Sequence, residues 1–272
     1  MAGPLRGLKI LDFTSLLPGP FATLTLADMG AEVISIKAPG RAEIDALTET
    51  GPNDKGPGPL EAWLGRGKRS LFLNLKHAQG RRVVERLLHT HDILVEQFRP
   101  GVMGRLGLGW DDLKEQFSNL IYCSLTGYGQ SGPMAQRAGH DINYLARSGL
   151  MAHSGRRDLG PILTGMQIAD VAAGSYGVVM AILAAVIHRM NTGQGQHLDV
   201  SMTDGSMAFN AMAAARYLAG GQEAARESWR LNGGSLYDFY ECADGDFISF
   251  GGLEPKFCAA FLEAIGLPEL IE

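Results

Sequence analysis

The chain has 272 residues, 46% of them apolar and 19% charged, an ordinary globular mixture that excludes intrinsic disorder. Its 24 Lys and Arg against 29 Asp and Glu leave a net charge of −5 at pH 7. That balance argues against a nucleic-acid partner, yet it leaves room for an anionic small ligand gripped by a few local arginines.

The first half alternates strand and helix patterns. Leu8–Phe13 reads as a short apolar strand, followed by Pro18-Gly19-Pro20 and a helix over Phe21–Met29 that stops at Gly30. Glu32–Ile36 is the next strand. A polar Gly- and Pro-rich segment, Ala38–Gly67, reads as a long loop with one helical turn. Ser70–Leu73 is a third strand, Gln79–Thr90 a helix, and Asp92–Phe98 and Leu120–Leu125 are further buried strands. Strands separated by helices of this length imply βαβ units, a parallel sheet and a doubly wound α/β fold.

A helix is expected near Ile142 and a long one over Asp170–Arg189, closed at Asn191-Thr192-Gly193. Within the long helix, Val171–Ile187 is apolar, but it is short and dominated by Ala and Gly. It reads as a buried helix packed through small residues, so no membrane partner is expected. A strand around Leu198–Ser201 and a helix over Asp204–Ala219 follow. Beyond a polar connector, Tyr237–Glu241 and Phe247–Phe250 flank Ala243-Asp244-Gly245 as a hairpin, and Lys256–Ile265 is a helix. The pattern thus divides into a large α/β domain, 1–224, and a smaller α+β domain, 225–272, that is cut short. The N-terminus has no apolar h-region, and Cys123, Cys242 and Cys258 are odd in number and far apart. They read as reduced core thiols of a cytoplasmic protein.

Parallel sheets carry ligands at the carboxyl ends of their strands, so the loops there are the places to search. Thr14–Pro20 runs from a strand end into a helix, whose first amides can hold an anion or simply form a turn. Arg99 and Arg105 lie six apart in a glycine-punctuated loop after a strand, suited either to phosphate groups or to solvent. His140, between Gly139 and Asp141, follows Gly127-Tyr128-Gly129-Gln130-Ser131-Gly132-Pro133. Its imidazole suits proton transfer near neutrality, and the alternative is that His140 or Asp141 caps the next helix. Asp170 opens the long helix as an N-cap, a base or a nucleophile. Glu254 is a carboxylate just past the hairpin. Met202, Met207 and Met212 lie at helical spacing and fit ordinary core or an acyl pocket. Metal-binding spacings, Walker A, GxSxG and dinucleotide fingerprints are absent, so no metal is expected.

The order of Leu-Pro-Gly-Pro (17–20), Gly-Ala-Glu-Val-Ile (30–34), Leu-Asn-Leu-Lys (73–76), Phe-Arg-Pro-Gly-Val-Met (98–103), Arg-Leu-Gly-Leu-Gly (105–109) and Thr-Gly-Tyr-Gly-Gln-Ser-Gly-Pro (126–133) resembles the family III CoA-transferases (CaiB/BaiF). Ala-Gly-His-Asp-Ile-Asn-Tyr (138–144), Tyr-Glu-Cys-Ala-Asp-Gly (240–245) and Leu-Glu-Pro-Lys-Phe (253–257) resemble the α-methylacyl-CoA racemase branch. The likeness runs from residue 5 to about 267. It implies a Rossmann-like large domain, an abbreviated small domain and an interlocked homodimer. It makes His140 and Asp170 the acid/base pair, Glu254 the carboxylate that orients the imidazole, and Asp141 an amide donor to the thioester oxygen. It places the CoA moiety of the substrate, the sole cofactor expected, on Leu73, Leu75, Arg99, Arg105 and Gly139. Lys37 stands in for an arginine that relatives carry where this chain has Ala38. Three readings follow: racemisation of 2-methylacyl-CoA by two-base α-proton exchange, acyl-CoA:carboxylate CoA transfer with Asp170 as nucleophile, or an inactive CoA-binding subunit.

Overall fold

A computed structural model describes residues 3–39 and 58–271. The described residues form two compact units, Met1–Tyr144 with Gln167–Ser206, and Leu145–Met166 with Met207–Glu272.

The first unit is built on six parallel strands: β1 (Lys9–Phe13), β2 (Glu32–Lys37), β3 (Arg69–Phe72), β4 (Ile93–Glu96), β5 (Ile121–Thr126) and β6 (Gln196–Ser201). Their order is β3-β2-β1-β4-β5-β6, with the winding reversing between β1 and β4. This is the doubly wound arrangement expected from the alternation, and it places a crevice at the carboxyl ends of β1 and β4. The central strands are apolar almost without interruption, as strands covered on both faces must be: all four residues of β4 and all six of β5 are buried.

Helices α1 (Pro18–Asp28), α2 (Pro59–Gly65) and α3 (Ala78–Leu88) belong to the first half of the unit. The expected loop from Ala38 therefore ends in α2, while residues 40–57 of that reading lie outside the described residues. Two single-turn helices, α4 (Val102–Arg105) and α5 (Trp110–Leu113), fill the stretch before β5, and α6 (Asp141–Arg147) follows it. One core cluster gathers Leu11, Phe13, Leu94, Tyr122, Val84, Leu88 and Met103 against the sheet.

The end of β1 is fastened by ionic groups buried in this core. Asp12 accepts from the Thr14 amide at 3.0 Å, the Thr23 hydroxyl at 2.6 Å, the Ser35 hydroxyl at 3.1 Å and the Lys68 ammonium at 3.3 Å. Lys68 also donates to the Pro20 carbonyl and the Thr23 hydroxyl. Burial lowers the Lys68 pKa, and Asp12 opposes that shift.

The long helix does not start as an α-helix. Ala169–Ser175 is a π-helical turn that leads into α7 (Tyr176–Thr192), ending at Gly193 with φ of 76°. Ser175 Oγ donates to the carbonyls of Pro18 and Asp170, which ties the wide turn to α1. Ala169–Thr192 spans 24 residues and is long and apolar enough to cross a membrane by length and composition, longer than the stretch read from the sequence. Val178, Val179, Ile182 and Ala185 are buried where the helix packs on α1, β5 and β6, but Tyr176, Met180, Ile187 and Met190 are exposed, so the helix expected to be buried is buried on one face only.

In the second unit, the helix expected over Asp204–Ala219 is broken into α8 (Met202–Ala208), which begins in the first unit, and α9 (Ala211–Gly220). At the break Asn210 donates to the Ser148 carbonyl at 2.7 Å and pairs with His153 Nε2 at 2.9 Å. The hairpin β7 (Tyr237–Glu241) and β8 (Phe247–Gly251) is antiparallel, and Phe250 stacks on Phe261 of α10 (Pro255–Ala264) at 4.0 Å. Arg156 forms ion pairs with Glu227 at 3.0 Å and Asp238 at 2.5 Å, drawing 145–166 into this unit. The contact division thus differs from the boundary at 225, because these polar links join two distant stretches of chain. Of the methionines read as core or pocket, Met202 is buried, whereas Met207 and Met212 are exposed. Only Cys123 is a fully buried thiol; Cys242 and Cys258 are half-buried, and all three are free.

Candidate active site

Beyond β5 the chain runs through Gly127, Tyr128 and Gly129, and the ring of Tyr144 lies against this turn. A Cβ at Gly127 would collide with that ring, and one at Gly139 would lie 2.7 Å from it. Only glycine allows this approach at both places. The Tyr144 hydroxyl donates to the Gly139 carbonyl at 2.6 Å, and its ring meets Tyr128 edge-on at 5.2 Å. The segment carrying His140 is thereby pinned to the end of β5.

His140 stands just before α6. Its carbonyl accepts from the amides of Asn143 and Tyr144, and its own amide donates to Asn143 Oδ1 at 3.0 Å. The imidazole is exposed and makes no hydrogen bond to a described residue, so it is not the helix cap. Nor does the Asp141 carboxylate cap α6. It accepts the amide of Asp170 at 2.9 Å, and that of Ala169, thereby capping the π-turn instead. The sequence alternatives of His140 or Asp141 capping α6 are corrected by these bonds: Asn143 reaches back to serve α6, and Asp141 is drawn to two amides of another element. The Asp141 amide itself belongs to the first turn of α6, where N–H groups have no partner within the helix.

Because Asp141 takes over the cap, the Asp170 carboxylate is not an N-cap either. It is half-buried, and burial, reinforced by the Asp141 charge, pushes it up to about 7. Tyr144 is pushed up to about 12 by burial, then by Asp170, Tyr128 and Asp141, with Arg99 opposing. The same electrostatic neighbourhood therefore holds Asp170, Asp141, Tyr144 and Arg99.

The other predicted residues are distributed around the strand ends. Lys37 and Ala38 line a cavity of about 160 Å³ together with Leu16, Ser70, Phe98 and Glu61. Lys37 forms an ion pair with Glu61 at 2.6 Å. Leu73, whose amide donates to the Lys37 carbonyl at 2.9 Å, and Leu75 are half-buried against the core. Arg99 and Arg105 are exposed. Glu254 lies in the second unit, where its carbonyl accepts the amides of Phe257 and Cys258 at the start of α10 and its side chain is exposed.

Two residues at the end of β4 escaped the sequence reading. Glu96 is buried and accepts the Phe98 amide at 2.7 Å, while Gln97 Oε1 accepts the Gly19 amide at 3.1 Å. The first amides of α1 are thus partly occupied by a side chain of the protein itself. The available signal was a carboxylate closing an otherwise apolar strand, Ile-Leu-Val-Glu.

The model of CoA-transferase family III matches residues 5–272. The chain belongs to this family. Succinyl-CoA:glutarate CoA-transferase of Mus musculus is 38% identical to this family III chain over 99% of its length and 61% of the relative's. Alpha-methylacyl-CoA racemase of Homo sapiens is 37% identical over 97% of the chain and 65% of the relative. The family III chain spans about three fifths of the length of the first of these relatives. A CAIB/BAIF family protein from Brucella suis has a crystal structure that superposes with a TM-score of 0.85, at 32% identity, over 99% of this chain and 71% of that one. Rv3272 from M. tuberculosis superposes with a TM-score of 0.81 at 33% identity, covering 100% of this chain and 71% of that one.

Proposed function

We propose that this family III protein takes acyl-CoA thioesters and exchanges their α-proton, racemising 2-methylacyl groups in the cytoplasm as a homodimer. The observation that carries this reading is Asp170: its carboxylate caps no helix, is half-buried and is pushed up to about 7, next to the turn that presents His140. A carboxyl tuned to neutrality is a good proton donor and acceptor. In this mechanism one of the pair removes the proton and the other returns one to the opposite face. The enolate oxygen that forms between these steps needs a donor, and the free first-turn amide of Asp141 is suited to supply it. Glu254 would orient the imidazole. Arg99, Arg105, Lys37, Leu73, Leu75 and Gly139 would contact the CoA moiety.

A second reading, CoA transfer, is supported by the names of relatives that are CoA-transferases. There Asp170 attacks the thioester carbonyl, CoA thiolate leaves, and an acyl anhydride forms on the enzyme. Incubation with a 2-methylacyl-CoA in deuterated water, without an acceptor acid, separates the two. Deuterium at the α-carbon, lost in His140→Ala and Asp170→Ala variants that still bind CoA, supports racemisation. A hydroxylamine-trappable acyl-enzyme without α-exchange supports transfer, and neither product supports a CoA-binding subunit.

A further inference from the structure

Glu96 is an ionisable side chain with no part in the proposed proton exchange, yet it is 4% exposed at the end of a central strand. A carboxyl is costly to bury unless it is bonded, and this one is bonded on two sides. One side receives the Phe98 amide, in the turn that leads directly into Arg99. The other meets the Ser124 hydroxyl of β5, which in turn contacts His197 Nε2 of β6 at 3.0 Å. Trp110 stacks over the His197 ring at 5.9 Å and closes that end.

In register with Glu96 and Ser124 on the neighbouring strand is Asp199, which accepts the Gln130 amide at 2.9 Å. Gln130 belongs to the loop after β5. Asp199 and His197 from β6 and Tyr122 and Cys123 from β5 are the titratable groups around Glu96 on these strands. Gln97, the next residue, holds the start of α1 through the Gly19 amide. Glu96 and Gln97 thus tie the turn after β4 to β5, whose end leads into the Gly127–Pro133 loop, and to the start of α1.

We propose that Glu96 is a positioning residue for coenzyme binding: it sets the turn bearing Arg99 in a fixed relation to the Gly127–Pro133 loop by bonding the Phe98 amide and Ser124 together. The assignment rests on the reading of Arg99 as a CoA contact, and it deepens that reading. Gln at position 96 can keep both bonds, accepting from Phe98 through its carbonyl and donating to Ser124 through its amide. Ala keeps neither.

Two measurements on Glu96→Ala and Glu96→Gln test this: calorimetric titration with CoA, and amide hydrogen exchange of residues 97–105 and 127–133. Ala is expected to weaken CoA binding by about tenfold, the worth of one charge-assisted bond, and to speed exchange in both segments. Gln is expected to stay within about threefold of the wild type, with native exchange. Unchanged affinity and exchange in the Ala variant overturn the proposal, as does a Gln variant as impaired as Ala, or faster exchange spread evenly over the sheet. Should the Ala variant not fold, Ser124→Ala cuts one link only. It must speed exchange over 127–133 and weaken CoA, and native behaviour there refutes the role. If the wild type fails to bind CoA, the acyl-CoA reading falls, while the exchange measurements still decide whether Glu96 positions the two loops.

Discussion

Replacing Asp170 by Asn should stabilise the protein, and only on the alkaline side. In the unfolded chain this carboxyl loses its proton near 3.8, whereas in the folded protein burial and Asp141 hold it until about 7. Between those values the folded state binds more protons than the unfolded state, so stability falls as pH rises, and the full cost is reached above pH 7. Three units at 1.36 kcal/mol each give about 4 kcal/mol as a ceiling. Asp170 is only half-buried, so solvent screening reduces this to about 1–2 kcal/mol. Asn keeps the shape and removes the charge. Urea unfolding followed by tryptophan fluorescence, at pH 4 and pH 8, gives the comparison. Asp170→Asn should match the wild type within about 0.5 kcal/mol at pH 4 and exceed it by about 1–2 kcal/mol at pH 8. Glu96, pushed up to about 7 by burial, adds a slope of the same sign to both proteins, so the difference between them is the quantity to read. A variant less stable than wild type at pH 8, or equally favoured at both pH values, refutes the reasoning.

Three further substitutions probe the same framework. Lys68→Met leaves Asp12 charged and buried without its cation, and denaturant unfolding should register a loss of about 3–5 kcal/mol. Gly127→Ala forces the Tyr144 ring away from β5. About 1–3 kcal/mol of stability should go, together with α-proton exchange, as measured by thermal unfolding and deuterium incorporation. Asp141→Ala uncovers the amides of Ala169 and Asp170 at a cost of about 1–2 kcal/mol and removes a neighbouring charge. The titration of Asp170 should move to lower pH, narrowing the pH-dependent gap just described.

The strands were legible because a central parallel strand is covered on both faces, and short β-branched and aromatic runs such as Ile121–Thr126 alternate with helix-length segments. What local pattern could not disclose were features decided by distant partners. Asp204–Ala219 reads as one helix until Asn210 finds Ser148 and His153, more than fifty residues upstream. Asp170 looks like an N-cap until Asp141, twenty-nine residues earlier, takes that place. The single turns α4 and α5 were hidden by their length and by glycines at 101, 104, 107 and 109. Of the candidate site, His140 and Asp170 were legible through the family resemblance, and the structure adds the Asp141 bond between their segments. The one local sign of Glu96 was a carboxylate closing an apolar strand, and its partners, like that of Gln97, come together only once the chain has folded.

The bond from Gly19 to Gln97 has a consequence for what this sheet can carry. Its strand order is shared with proteins that lay a nicotinamide or flavin cofactor across the reversal point, with the pyrophosphate seated on the first helix. In this chain that seat holds a carboxamide from the adjoining strand, packed so closely that a methyl group on Gly19 would strike it. A redox coenzyme docking in that customary place would first have to evict the protein's own side chain.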